Sequence, residues 1–260
     1  MDLGLEGRRA LVLASTRGLG RGIAEALAAE GAAVVVSGRS DAEGAARAIA
    51  AATGGRVHGV RADLHQKSSV DALIDAAAAR MGGIDILVLN GGGPPPGPAC
   101  ELSYDELKLW FDRMVALLIH AADRCVPAMR HRKWGRLLTV ASNTVVQPAP
   151  HMALSNSLRA ALVTWSKTLA GEVAADGVTC NLILPGRIHT QRLDELDGAK
   201  AARDGTTAER VRAASIAAIP AGRYGRVEEF AAVAAFLCSD RASYVTGSQV
   251  RVDGGLIRAV

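Results

Sequence analysis

The sequence predicts an α/β protein built on one doubly wound, parallel sheet of about seven strands with helices on both faces. Three observations carry this. Short apolar runs alternate with Ala-rich stretches of helical period along the whole chain. The runs are nearly continuous in Val, Leu and Ile without polar alternation, which means that both faces of the sheet are covered. Finally, 260 residues at 49% hydrophobic suffice for a single full core, and aromatics at 3% require that core to be aliphatic.

The first strand, 10–13, breaks into a small-residue turn containing Gly18, Gly20 and Gly22, and a helix follows over 19–29. A turn of this kind lets backbone N–H groups approach a pyrophosphate, and the helix N-terminus adds partial positive charge. The second strand, 32–36, runs on through Ser37 and Gly38 to Arg39. A carboxylate here would hold a ribose 2′-hydroxyl, but none occurs before Asp41, which reads as the cap of a helix over 41–52. Arg39 and Arg17 instead offer two guanidiniums suited to a 2′-phosphate, so NADP(H) is expected in preference to NAD(H).

A third strand at 57–60 precedes a helix at 69–81, and a fourth at 84–89 leads into GGGPPPGP, 91–98. Three consecutive prolines favour a stiff, extended segment, suited to a pocket wall or a plain connector. Ser103 and Glu106 form a capping box at the head of a long helix, 104–130. The fifth strand (136–141), a helix (152–175), the sixth strand (179–184), a helix (227–238) and the last strand (249–252) complete the pattern. Between them, 190–220 is the least regular stretch. It should lie over the carboxyl edge of the sheet as a substrate lid, within one dinucleotide-binding catalytic domain spanning 1–260.

The net charge of +4 comes from interspersed charges, which describes a solvated surface rather than a nucleic-acid footprint. Cys100, Cys125, Cys180 and Cys238 lie far apart without a CxxC pair and read as buried or semi-buried thiols in a reducing compartment. No metal-ligand spacing occurs. No apolar segment precedes the first strand and no apolar run approaches ~18–20 residues, so no membrane contact and a cytoplasmic location are expected.

At this point the chain resembles the short-chain dehydrogenase/reductase family, in the variety of its acyl-carrier-protein reductases and sugar or alcohol dehydrogenases. The match runs from about Leu5 to Gly255 and implies a single-domain Rossmann-like fold. The family's TGxxxGxG turn falls on Leu13, Ala14, Ser15, Thr16, Arg17, Gly18, Leu19 and Gly20, with Ala14 in place of the first glycine. The adenine-contacting Asp matches Asp63, followed by Leu64, and the NNAG matches Leu89, Asn90, Gly91 and Gly92. PGxxxT matches Pro185, Gly186, Arg187, Ile188, His189 and Thr190, and the late DGG matches Asp253, Gly254 and Gly255. By resemblance Ala14 to Gly20, Asp63, Leu64, Asn90, Gly91, Gly92, Pro185, Gly186, Ile188 and Thr190 hold the cofactor, Thr190 facing the nicotinamide carboxamide.

The family's chemistry rests on an Asn–Ser–Tyr–Lys set, and here the match departs. Ser142, seven residues after Gly135, takes the serine position; thirteen residues on stands Ser155 for the tyrosine, and four further Arg159 for the lysine. Counting back without gaps, the asparagine position falls on Met114. A serine hydroxyl is a far poorer acid than a phenol, whose pKa is about 10. Arg159 does not deprotonate to relay a proton, yet it can hydrogen-bond the cofactor ribose and stabilise an oxyanion. Ser155 and Arg159, at i and i+4, share one helix face. His151, His189 and Tyr104 are the other groups that could move a proton.

The reading is an NADP(H)-dependent oxidoreductase that interconverts a carbonyl and an alcohol on a small or medium substrate, with an atypical proton donor. The alternatives are a catalytically impaired nucleotide-binding protein and a lyase, dehydratase or isomerase on the same fold. The resemblance also implies a homo-oligomer, tetramer or dimer. Ala160, Ala161, Val163, Trp165 and Leu169 are compatible with this, since they make the 152–175 helix apolar around much of its girth.

Overall fold

The computed structural model describes residues 1–259. Seven parallel strands form one sheet: β1 (Arg9–Val12), β2 (Ala33–Gly38), β3 (Val57–Arg61), β4 (Ile86–Leu89), β5 (Gly135–Val140), β6 (Val178–Pro185) and β7 (Gln249–Val252), in the order β3-β2-β1-β4-β5-β6-β7. The order reverses between β1 and β4, where Val12 is in register with Val88. In such sheets a ligand crevice lies beyond the carboxyl ends of these two strands.

The aliphatic runs of β1, β2 and β4 form strands because their side chains alternate between two apolar helix layers, one on each face. Leu11, Leu13, Leu87 and Leu89 face one layer, packing with Leu73 of α3 (Lys67–Met81), Leu118 and Met129 of α5 (Leu117–His131), and Leu158 and Leu162 of α6 (Ala153–Val173). Their neighbours Val12, Val34, Val36, Ile86 and Val88 face the other. There they meet Ile23 and Leu27 of α1 (Gly18–Ala29), Ile49 of α2 (Ala42–Thr53), and Phe230 of α9 (Val227–Leu237). Helices α1 and α9 approach closely: a Cβ on Gly22 would lie 2.2 Å from Val227 Cγ1, so only glycine fits there.

Strands and helices fall close to where the sequence predicts them, but some expectations are corrected. The expected helix over 104–130 is divided into α4 (Tyr104–Phe111), a π-helical segment (Asp112–Ala116) and α5. The wider turn buries both Met114 and Val115, which a continuous 3.6-residue period would have set at different angles. Ser103 and Glu106 do close their capping box on α4.

Second, 190–220 is regular, forming α7 (Gln191–Arg203) and α8 (Ala208–Ala217). Thr190 caps α7 by accepting from the Leu193 N–H, Thr207 caps α8 by accepting from the Arg210 N–H, and Gly205 turns the chain between them at φ +61°. The polar composition hid these helices, because α7 is held largely by a polar anchor. Buried Asp197 accepts from Arg187 Nη1 at 2.8 Å and from the Tyr224 hydroxyl at 2.7 Å.

Third, the thiols are not all enclosed. Cys125, Cys180 and Cys238 are buried, and burial pushes each thiol pKa up to about 12, whereas Cys100 is exposed. No helix of the described residues is long and apolar enough to cross a membrane.

Candidate functional site

The turn after β1 is fixed before any ligand arrives. Ser15 Oγ donates to Val12 O at 2.6 Å and accepts from the Ser37 N–H at 2.9 Å, while the Ser15 N–H donates to Ser37 O at 2.7 Å. Both serines are fully buried, so the hydroxyl and the N–H of Ser15 are both spent inside the turn and the residue shapes the cradle rather than donating to a ligand. Asn90 Nδ2 holds the other side, donating to Leu13 O at 3.2 Å and Ala14 O at 3.0 Å. Ala14 adopts φ +47° and Gly18 φ +59°, both left-handed, which the alanine does at a cost of about 1 kcal/mol. A Cβ at Gly20 would lie 2.5 Å from Ala14 O, so that position admits only glycine.

No side chain caps α1 and no acid stands in its first turn. Its first N–H groups therefore face outward with their partial positive charge unneutralised, the arrangement a phosphate needs. Thr16 covers Gly38 at the end of β2, and Leu19 packs partly buried against the core. Asp41 caps α2, accepting from the Gly44 N–H at 2.7 Å. Arg61 Nε donates to Arg39 O at 3.0 Å, so a second guanidinium accompanies Arg39 at this corner. Arg17 reaches elsewhere: its Nη1 donates to Gln191 Oε1 at 2.9 Å, joining the glycine turn to α7. Asp63 accepts from the His65 N–H at 3.0 Å beside Leu64.

The opposite wall comes from the stretch after β6. Thr190 Cγ2 lies 3.9 Å from where a Gly18 Cβ would stand, placing the threonine over the cradle while its hydroxyl caps α7. Pro185 and Gly186 are held at the end of β7, the Gly186 N–H donating to Val252 O at 2.9 Å. Ile188 is buried and bridges to Gly225. Asp253 closes the late turn, accepting from the Gly255 and Ile257 N–H groups, each at 3.0 Å.

Beyond β4 and β5 lies a small cavity lined by Gly91, Gly92, Arg113, Met114, Val140 and Arg159. No side chain stands within 4 Å of where a Cβ on Gly91 or Gly92 would be, so both leave their surroundings open. Arg159 reaches from α6 to the end of β5, where Nη1 donates to Val140 O at 2.9 Å and Ala141 O at 3.0 Å. Burial, and then the nearby charge of Arg192, lower its pKa to about 10, so it remains a cation at neutral pH. Next along the chain, Ser142 Oγ accepts from the Thr144 N–H at 3.2 Å and from the Thr144 hydroxyl at 3.0 Å. Its own hydrogen has only Asn143 Oδ1 at 3.5 Å, a weak contact. Ser155 is buried in the first turn of α6, one turn before Arg159.

Of the residues considered as proton donors, none lines this cavity. His189 is exposed, with Nε2 3.6 Å from Asp194 Oδ1; His151 is exposed at φ +57°; and Tyr104 is 75% exposed at the head of α4. Of the loop 91–98, Gly91 and Gly92 line the cavity, while Pro94 is buried, Gly97 exchanges backbone hydrogen bonds with His151 and Ala153, and Pro94 O accepts from Arg192 Nη2 at 3.3 Å. Sequence reasoning missed Arg61, Arg113 and Arg192. The signal for Arg192 was its position two residues past Thr190, in the first turn of a helix that went unseen.

Comparison with known proteins agrees with this geometry. Residues 13–257 match the family model described as enoyl-(acyl carrier protein) reductase. The chain is 33% identical over 255 residues to the 3-oxoacyl-(acyl-carrier-protein) reductase of Haemophilus influenzae, covering 97% of this chain and 99% of that one. It is 36% identical over 255 residues to 3β-hydroxysteroid dehydrogenase 1 of Eggerthella lenta, covering 97% of this chain and 94% of that one. Among solved structures, L-sorbose reductase from Gluconobacter frateurii, complexed with NADPH and L-sorbose, superposes with a TM-score of 0.93 at 33% identity over 100% of both chains. With the strand order, the uncapped glycine turn and the matches at either end of the sheet in agreement, the chain belongs to the short-chain dehydrogenase/reductase family.

Proposed function

We propose that the protein is an NADP(H)-dependent oxidoreductase that interconverts a carbonyl and an alcohol on a small or medium substrate. The observation that carries the cofactor reading is the α1 N-terminus, uncapped and without an acid in its first turn. The turn of Ala14, Ser15, Thr16 and Arg17 would seat the pyrophosphate against the first N–H groups of α1, at Gly18, Leu19 and Gly20. Arg39, with Arg61 beside it, would take the 2′-phosphate, and Asp63 and Leu64 the adenine. Asn90, Gly91, Gly92 and Arg159 would line the nicotinamide riboside on one side, and Pro185, Gly186, Ile188 and Thr190 on the other. When bound, the cofactor supplies or accepts the hydride.

What this chain contributes is the handling of the substrate oxygen. Ser142 has both acceptor positions taken by Thr144, so its free capacity is as a donor, directed to a carbonyl oxygen or the oxyanion that follows. Arg159 adds a fixed positive charge and does not surrender its proton. Ser155, at the position matched to the family tyrosine, is too weak an acid to replace a phenol. The site therefore stabilises negative charge well and delivers a proton poorly. That imbalance favours a second reading, a nucleotide-binding protein of low turnover.

Titration with NADPH and NADH at fixed ionic strength tests the proposal. The expected outcome is tighter NADPH binding, with Arg39→Ala weakening NADPH about tenfold and leaving NADH unchanged, since the lost contact is to a phosphate that NADH lacks. Equal affinities, or a preference for NADH, would refute the cofactor preference.

A further inference from the structure

Outside the phosphate cradle, the strongest unexplained feature is a pair of arginines at the proline loop. Arg159 Nη2 and Arg192 Nη2 lie 3.9 and 3.8 Å from one point in space, the position a Cβ on Gly93 would occupy. The two side chains reach it from different elements, α6 and α7, and each is held by backbone oxygens behind it. Arg159 spends Nη1 on Val140 O and Ala141 O, and Arg192 Nη2 is steadied by Pro94 O. Among the described residues no carboxylate pairs with Arg159, and Arg192 has only a surface contact to Glu195 at 3.4 Å, with both side chains about half exposed. A pair of that kind neutralises little. A third cation, Arg113, lines the same cavity as Arg159.

Two like charges converging on one point repel, and their mutual repulsion is one of the causes that lower the Arg159 pKa. A fold that fixes them there without a counter-ion is arranged for an anion that arrives with the ligand. Guanidinium forks suit a planar carboxylate in particular, which takes two parallel hydrogen bonds from each. Glycine at 93 keeps the approach clear of a side chain. We propose that this site recognises a carboxylate on the substrate, so that the enzyme acts on oxo or hydroxy acids and discriminates against their neutral derivatives. The proposal rests on the oxidoreductase reading for the word substrate, but the anion subsite itself does not require it. The cofactor's own phosphates are the competing anions. The cradle that would take the pyrophosphate opens at α1, whereas Pro94 draws Arg192 to the loop beyond β4.

The test is calorimetric titration of the protein, first with NADPH and then, in the presence of NADPH, with 2-oxobutanoate and with 2-oxobutanamide at fixed ionic strength. Wild type should bind the acid at least tenfold more tightly than the amide. In Arg192→Gln this preference should collapse towards unity while NADPH affinity is retained, and Arg192→Lys should restore part of it. Equal binding of acid and amide would overturn the proposal. So would a preference that survives Arg192→Gln, or an Arg192→Gln variant that loses NADPH affinity and keeps its acid preference, which would assign the cation to the cofactor. If NADPH itself fails to bind, the cofactor reading falls. The two titrations are then repeated without it, and an acid preference lost in Arg192→Gln still supports the anion subsite.

Discussion

Arg159 carries its charge to the end of β5, donating from Nη1 to both Val140 O and Ala141 O. A lysine ammonium could exchange a proton, whereas the guanidinium stays charged. Restoring the family pair with Ser155→Tyr and Arg159→Lys should therefore raise NADPH-dependent ketone and aldehyde reduction about a hundredfold or more, the scale on which a placed general acid contributes. Absorbance of the cofactor over a carbonyl panel reads this out. A fast wild type slowed by the double substitution would show that the native site has a donor of its own. Much of the candidate site's arrangement was legible at this scale because the glycine turn, the strand-end Arg39 and Ser142 are placed by local spacing. Arg17 was legible in place but not in direction, since its contact with Gln191 depends on a helix 174 residues away in the chain. The convergence of Arg159 and Arg192 was not legible at all, because it is made by tertiary packing.

Among the elements, β4 begins later than its apolar run suggests, and the reason is a polar anchor. Asp85, just before the strand, is 5% exposed and receives Arg9 Nε and Nη2, both at 2.6 Å, with Arg132 Nε at 3.2 Å. Burial works to raise its pKa, but the hydrogen bond and charge of Arg9, with Arg132, hold it below the usual carboxylate range. A carboxylate whose folded pKa is depressed stabilises fully above its unfolded value, about 3.9, and loses that contribution as pH falls through the folded value. Asp85→Asn should cost roughly 3 kcal/mol at neutral pH, and the gap from wild type should narrow as pH falls below about 4. Urea unfolding across that range measures both. The strands were legible because their residues are apolar on both faces. α7 and α8 were not, because beside their Thr caps and the Asp197 anchor they bury only a few scattered apolar residues, Leu193, Ala201 and Val211. The π-helical segment escaped because periodicity assumes a constant turn.

For the whole molecule, the surface still carries apolar area that the single chain does not cover. No residue of α4 is buried, and its Tyr104, Leu107, Leu109 and Phe111 are exposed. α6 packs near it and leaves Ala161, Val163, Trp165 and Leu169 only partly covered. Apolar groups gathered on adjoining helices are the usual material of a subunit interface. Light scattering at micromolar concentration should give two or four times 26.9 kDa, and a mass equal to one chain would refute it. The packing of α1 on α9 has a consequence for biosynthesis. α1 leaves the ribosome before α9, the helix that covers it through Val227 against Gly22. Until α9 follows, that face of α1 lacks its cover, so slowing elongation between the two helices should raise losses to aggregation without any change in the stability of the finished fold.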